Sequence, residues 1–206
     1  NKAVSINENF FEAHGNQGIA ISDQGKLDEA AASFRKALTI QPNYAEALSN
    51  LGSVLKELGE YKEAIASHQK AILIRPDFAE AHNNLGVVQE NWGKLDDAGA
   101  SYQKAVDFNP NYTEAHFNLG HIYQQRGALG DAINQYRKVL TLTPDFALAH
   151  NNLGTVLQDL GNYQEAILSY QKAIDIQPNF AEAHSNLGAA QRKLGDREKE
   201  IRSYQT

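Results

Sequence analysis

Between residues 45 and 78 the apolar positions trace two helical stripes in succession. Leu48, Leu51, Leu55 and Leu58 recur at three- and four-residue steps, and the stripe stops at Gly59, a residue type tolerated in a left-handed helix cap. After the Gly-Glu-Tyr turn, Ala64, Ile65, His68, Ala71 and Ile72 form a second stripe, ended by Pro76 and a short Asp-Phe link. The pattern predicts an antiparallel helix pair, A then B. Small residues fall where the two backbones must approach, and Gly52 is expected to face Ala64 and Ala71. The whole pattern then repeats. Pro42, Pro76, Pro110, Pro144 and Pro178 stand 34 residues apart. Gly18, Gly52, Gly86, Gly120, Gly154 and Gly188 keep the same count, and so do Gly25, Gly59, Gly93, Gly127, Gly161 and Gly195. Such a period predicts an all-α array in which each copy packs on its neighbours.

Leu51-Gly52, Ala64, Ala71 and Pro76, with Gly59 at the turn, resemble the tetratricopeptide repeat (TPR), a helix-turn-helix unit of the same period. The resemblance covers nearly the whole chain and implies a right-handed superhelical solenoid of antiparallel helix pairs, read as one array over 1–206. Full copies are expected at 11–44, 45–78, 79–112, 113–146 and 147–180. Residues 1–10 read as the end of a preceding repeat and 181–206 as a partial or capping repeat. The spelling Ala-Glu-Ala-His-Ser-Asn-Leu-Gly at 181–188 is similar to the arrays of O-GlcNAc transferase and its bacterial relatives. Both ends depart from the pattern. Arg197 replaces the Leu or Tyr that follows the turn (Leu27, Tyr61, Leu95, Leu129, Tyr163), and Glu200 replaces the close-packing Ala of the other copies. Polar residues there suit a solvated cap, or a copy whose neighbour lies elsewhere in a longer chain. Glu8 stands where Pro is expected, so an apolar N-terminal edge and self-association through the ends are further expectations.

Composition narrows the partners. The formal charge of -6 and pI near 5.6 argue against a nucleic-acid backbone as partner, and favour basic or neutral peptides. No apolar run approaches the roughly 18 residues that cross a bilayer. The chain has no cysteine, which fits a reducing compartment, and a cytoplasmic location is expected. It starts at Asn1, holds no Met and shows no signal-type segment, so it reads as part of a longer polypeptide.

The resemblance implies that helix A lines the concave wall. Asn16, Asn50, Asn84, Asn118, Asn152 and Asn186 form a column there, each two residues before the first glycine series. An Asn side chain offers two donors and an acceptor, matching the C=O and N–H groups of an extended peptide. With helices roughly 8–10 Å apart and a strand rising ~3.3 Å per residue, one Asn would meet about every third ligand residue. The alternative is that each Asn satisfies neighbouring helix backbone or solvent. Selectivity is expected from columns that vary: Ile19, Ser53, Val87, His121, Thr155 and Ala189 after the Asn, and Gly15, Ser49, Asn83, Phe117, Asn151 and Ser185 before it. Phe117 and His121 share a helix face and would form an aromatic anchor, unless Phe117 tucks between helices.

Other signals are weaker. His14, His82, His116, His150 and His184 repeat at one place, but copies roughly 8–10 Å apart cannot share a zinc with ~2 Å bonds, so these are expected to pack between helices. Glu12, Glu46, Glu80, Glu114 and Glu182 open their helices, where the dipole favours a carboxylate. They leave no basic clamp for a C-terminal carboxylate, and Leu148 interrupts the series without adding charge. The sequon Asn111-Tyr112-Thr113 falls in a repeat linker. No nucleophile-base pair, metal constellation or phosphate loop stands out, so no enzyme activity, metal or cofactor is predicted for this segment. The expected function is a protein-interaction scaffold holding an extended peptide, without nucleic acid or membrane as partner. The alternatives are the substrate-recognition arm of a larger glycosyltransferase-like enzyme and a self-assembling scaffold.

Overall fold

The computed structural model describes the backbone of residues 2–204 and the side chains of residues 10–197. Eleven helices run through the described residues: α1 (Lys2–Ser22), α2 (Leu27–Ile40), α3 (Ala45–Glu57), α4 (Tyr61–Ile74), α5 (Ala79–Asn91), α6 (Leu95–Phe108), α7 (Thr113–Gln125), α8 (Leu129–Leu142), α9 (Ala147–Asp159), α10 (Tyr163–Ile176) and α11 (Ala181–Tyr204). They are the helix pairs of a TPR-type solenoid. The chain forms two compact units, Asn1–Pro110 and Asn111–Thr206. In the first, α1, α3 and α5 are A helices and α2, α4 and α6 are B helices.

The A helices before α11 end in one way. Gly59 adopts a φ of +78°, and the Glu60 N–H donates to Leu55 C=O at 2.9 Å, closing the orphan carbonyls of the last turn. The other pairs with an A-to-B turn use Gly25, Gly93, Gly127 and Gly161, all at positive φ. From α2 to α10 no helix start uses a side-chain cap. The proline linkers close on their own backbone instead, as where Phe78 N–H donates to Arg75 C=O at 3.1 Å.

The core corrects one expectation about close packing. Ala64 and Ala71 are fully buried, as are their counterparts Ala98, Ala105, Ala166 and Ala173. The side chain nearest Gly52, however, is His68, which lies between these two alanines on the same helix face. A Cβ at Gly52 would lie 2.6 Å from His68 Nε2, and one at Gly86 or Gly154 would lie 2.6 Å from the ring of Tyr102 or Tyr170. The A-helix glycine is a seat for the large ring at the middle of helix B, which fills the space between helices that small side chains alone would leave empty. Phe34 sits on Gly18 and Tyr136 on Gly120 in the same manner.

The ends differ from the inner copies. Helix α1 runs through Glu8 without a break, since no proline interrupts it there. Helix α11 passes through Gly195, which does not take the positive φ of the other turn glycines. The anchor after the turn is missing: Leu27, Tyr61 and Leu129 pack onto their cores, whereas exposed Arg197 reaches back to donate to Gly161 C=O at 3.0 Å. Among the described residues no ring is seated on Gly188, where a Cβ would meet nothing within 4 Å. The expectations for the side chains of residues 1–6, Glu8 and Glu200 lie outside the described residues; Phe10, the first side chain described, is 53% exposed.

Candidate functional site

Within the first unit, α3 packs against both α1 and α5, so the A helices form a continuous row. In the second unit α9 contacts α11 in the same way. Residues on the remaining face of these helices are the candidate contacts. Asn50 and Asn84 are half-buried there, and among the described residues neither side chain makes a hydrogen bond. Asn16 is exposed, and Asn118 is half-buried.

The column behaves differently in the second unit. Asn152 Nδ2 lies 3.5 Å from Tyr136 Oη, which itself donates to Gln124 Oε1 at 2.9 Å. Asn186 Nδ2 donates to Asn151 Oδ1 at 3.1 Å. These bonds link one copy to the next and use part of the amide's capacity. At 3.5 Å the Asn152 bond is at the limit of a useful one, so most of its donor capacity is open to a partner.

The column before the Asn is not a groove surface. Gly15, Ser49, Asn83 and Asn151 are buried, Ser49 against His68 of its own copy, while Ser185 of the last copy is exposed. Asn151 Nδ2 donates to Glu182 Oε1 at 3.0 Å, a copy-to-copy bond. Phe117 is half-buried, its ring 5.0 Å from Phe146 in a stack and 5.8 Å from Tyr136. Its packing partners are thus side chains of its own unit. His121, one turn on, is half-buried and lies 3.2 Å from Gln125 Nε2. The column after the Asn stays accessible, from exposed Ile19 through half-buried Ser53, Val87 and Thr155.

The repeating histidines close the linkers. His82, His150 and His184 each point Nε2 at the carbonyl of the proline six residues earlier, at 2.9, 2.9 and 2.8 Å. A carbonyl only accepts, so Nε2 carries the proton in all three. His82 also stacks on Phe108, with centroids 5.3 Å apart. His116 Nδ1 instead meets Gln135 Oε1 at 2.7 Å, and His14 is half-buried. Among the described residues no group of three or more His, Asp or Glu could hold a metal. Of the helix-opening acids, Glu46 accepts from Arg75 Nη1 at 2.6 Å.

A second repeating pair escaped the reading of single columns. Tyr102, Tyr136 and Tyr170 donate from Oη to the side chain twelve residues earlier: Glu90 at 2.7 Å, Gln124 at 2.9 Å and Gln158 at 3.4 Å. The signal lay in comparing two columns. Where the ring is Phe34 or His68, the partner position holds Ser22 or Lys56 rather than a long acceptor.

A model of the TPR repeat matches residues 20–59, 52–91, 92–127, 120–161 and 154–195. The chain belongs to the TPR family. Among solved structures this TPR chain is similar to YrrB, described as a TPR protein with an unusual peptide-binding site. The identity is 30%, with 89% of this chain and 95% of that one covered and a TM-score of 0.71. It is also similar to MamA, at 28% identity over 80% of this chain and 96% of that one, with a TM-score of 0.72. PilF of Pseudomonas aeruginosa, 21% identical over 93% of this chain and 87% of that one, shares the fold at a TM-score of 0.83. A comparison with curated proteins finds no match. No helix among the described residues is long and apolar enough to cross a membrane.

Beside Asn50 the TPR row opens into a cavity of about 240 Å³ between α1 and α3. It is lined by apolar Phe34, Val54 and Ile19, by polar Ser22, Asn50 and Ser53, and by the carboxylates of Asp23 and Glu57.

Proposed function

We propose that the chain is a protein-interaction scaffold whose A-helix face holds an extended polypeptide by its main chain. Asn50 and Asn84 act in the first unit, and Asn118, Asn152 and Asn186 in the second. One observation carries the reading: Asn50 and Asn84 stay half-buried on that face with no side-chain partner among the described residues. These two amides reach solvent, so a ligand backbone replaces water there without breaking a bond within the protein. Phe117 and His121 contribute the half-buried ring surface they leave toward the same face. The peptide-binding site named for YrrB, at 30% identity, is consistent with this use of the fold.

A random-peptide display library selected on the chain provides binders, whose affinity is then measured on Asn84→Ala/Asn118→Ala/Asn152→Ala. With about 0.5–1.5 kcal/mol per hydrogen bond, the triple change should weaken binding by roughly 10-fold to 1,000-fold. Unchanged affinity would remove the ladder and leave the Asn column a structural feature.

A further inference from the structure

We propose that the cavity between α1 and α3 is a specificity pocket for an arginine side chain of the bound polypeptide. The inference rests on the peptide-holding role of the A-helix face and adds a chemical preference to it.

The pocket exists because of two substitutions in one copy. In the later copies a tyrosine hydroxyl and a long side chain twelve residues earlier meet and occupy this part of the face, as Tyr136 does with Gln124 and Tyr170 with Gln158. The first copy has Phe34, which lacks the hydroxyl, and Ser22, which lacks the length. Their missing atoms leave the opening, and Ile19 stands at its wall 44% exposed.

The lining selects the occupant. Apolar Phe34, Val54 and Ile19 suit a hydrocarbon stem, and the two lining carboxylates, Asp23 and Glu57, suit a cationic head. Asp23 is exposed and makes no ion pair among the described residues. Glu57 already lies 2.6 Å from Lys56 Nζ, so an incoming cation shares that carboxylate and takes Asp23 for itself. A guanidinium fits this better than an ammonium. Its planar fork donates in two directions at once, which suits a lining that offers both the Asp23 carboxylate and the Asn50 amide oxygen as acceptors. The positions equivalent to Asp23 and Glu57 in the next two copies are Asn91 and Gln125, so the acidic pair belongs to this end of the array.

The test runs the same random-peptide selection on the chain, on Asp23→Asn/Glu57→Gln and on Ser22→Gln/Phe34→Tyr. The last variant rebuilds the pair of the fifth copy and fills the cavity. Gly18 already seats the ring there, as Gly154 seats Tyr170, so this variant keeps its fold. The expected result is an arginine enriched at one position of the peptides selected on the unaltered chain. Replacing that arginine by citrulline should weaken binding about ten-fold or more, as loss of a charge-assisted bond does. Both variants should lose the enrichment, and on them citrulline should cost nothing further. Peptides that bind without a preferred cation, or a citrulline penalty equal on all three proteins, would overturn the pocket and leave the peptide-holding face standing. If no peptide is enriched on any of the three, the face itself is not a peptide site and the pocket falls with it.

Discussion

Replacing His68 by Phe should remove a large part of the chain's stability loss in mild acid. The imidazole is fully buried on Gly52, where the other copies seat Phe or Tyr. Its Nδ1 lies 3.5 Å from Ser49 Oγ, and Nε2 has no hydrogen-bond partner. Burial, helped by the ammonium of Lys56, lowers its pKa from 6.5 to about 4. Above pH 6.5 both folded and unfolded chains hold a neutral ring, and the shift has no effect. As pH falls below 6.5 the unfolded chain takes up a proton that the folded chain refuses. Stability then drops by about 1.4 kcal/mol per pH unit, until it levels near pH 4. The full loss is about 3 kcal/mol over that window, given a folded value of about 4. Urea denaturation followed by helical circular dichroism at pH 7.5, 6, 5 and 4 measures it. The difference between the parent and His68→Phe isolates this ring from carboxylates that titrate in both proteins. Phe34 already shows that a phenyl ring fits over the matching glycine. Parallel stability curves for the two proteins would refute the argument, as would a ring pKa near 6.5 by NMR titration.

Two further predictions concern structure. Gly154→Ala puts a Cβ 2.6 Å from the ring of Tyr170 and should destabilise by about 1–3 kcal/mol, whereas Gly188→Ala, in the same column, meets nothing within 4 Å among the described residues and should stabilise by up to about 1 kcal/mol. Urea midpoints would decide this, and equal effects would contradict the ring-seat reading. His150→Ala removes the bond to Pro144 C=O and should cost about 1 kcal/mol, read in the same assay. Amide hydrogen exchange should quicken first at the Pro144 linker.

The helix pairs were legible because each is written locally: apolar steps of three and four, a glycine for a left-handed cap, a proline after helix B. Gly59 illustrates this, since its φ of +78° is the left-handed conformation that a glycine at the end of an apolar helical stripe is expected to take. What lies opposite a residue on another helix was less legible. Gly52 was matched to alanines, although the side chain long enough to reach it was His68. Asn151 read as a selectivity position because its column varies, yet variation also suits a buried contact whose partner varies with it, here Glu182 and Asn186. The tyrosine pairs were hidden for a similar reason. Each joins two columns twelve residues apart, and neither column is uniform. Helix α11 continues through Gly195 where Arg197 replaces the apolar residue after the turn, so a glycine permits the turn without imposing it.

The central claim is that the A-helix face reads the main chain of an extended partner. An amide-to-ester scan of a selected peptide tests this most directly, since each ester removes one backbone N–H and leaves the side chain in place. Affinity should fall at about every third position, following the spacing of A helices against a strand. The fall should vanish on Asn84→Ala/Asn118→Ala/Asn152→Ala. Esters tolerated at every position, with affinity set by side chains alone, would contradict the claim.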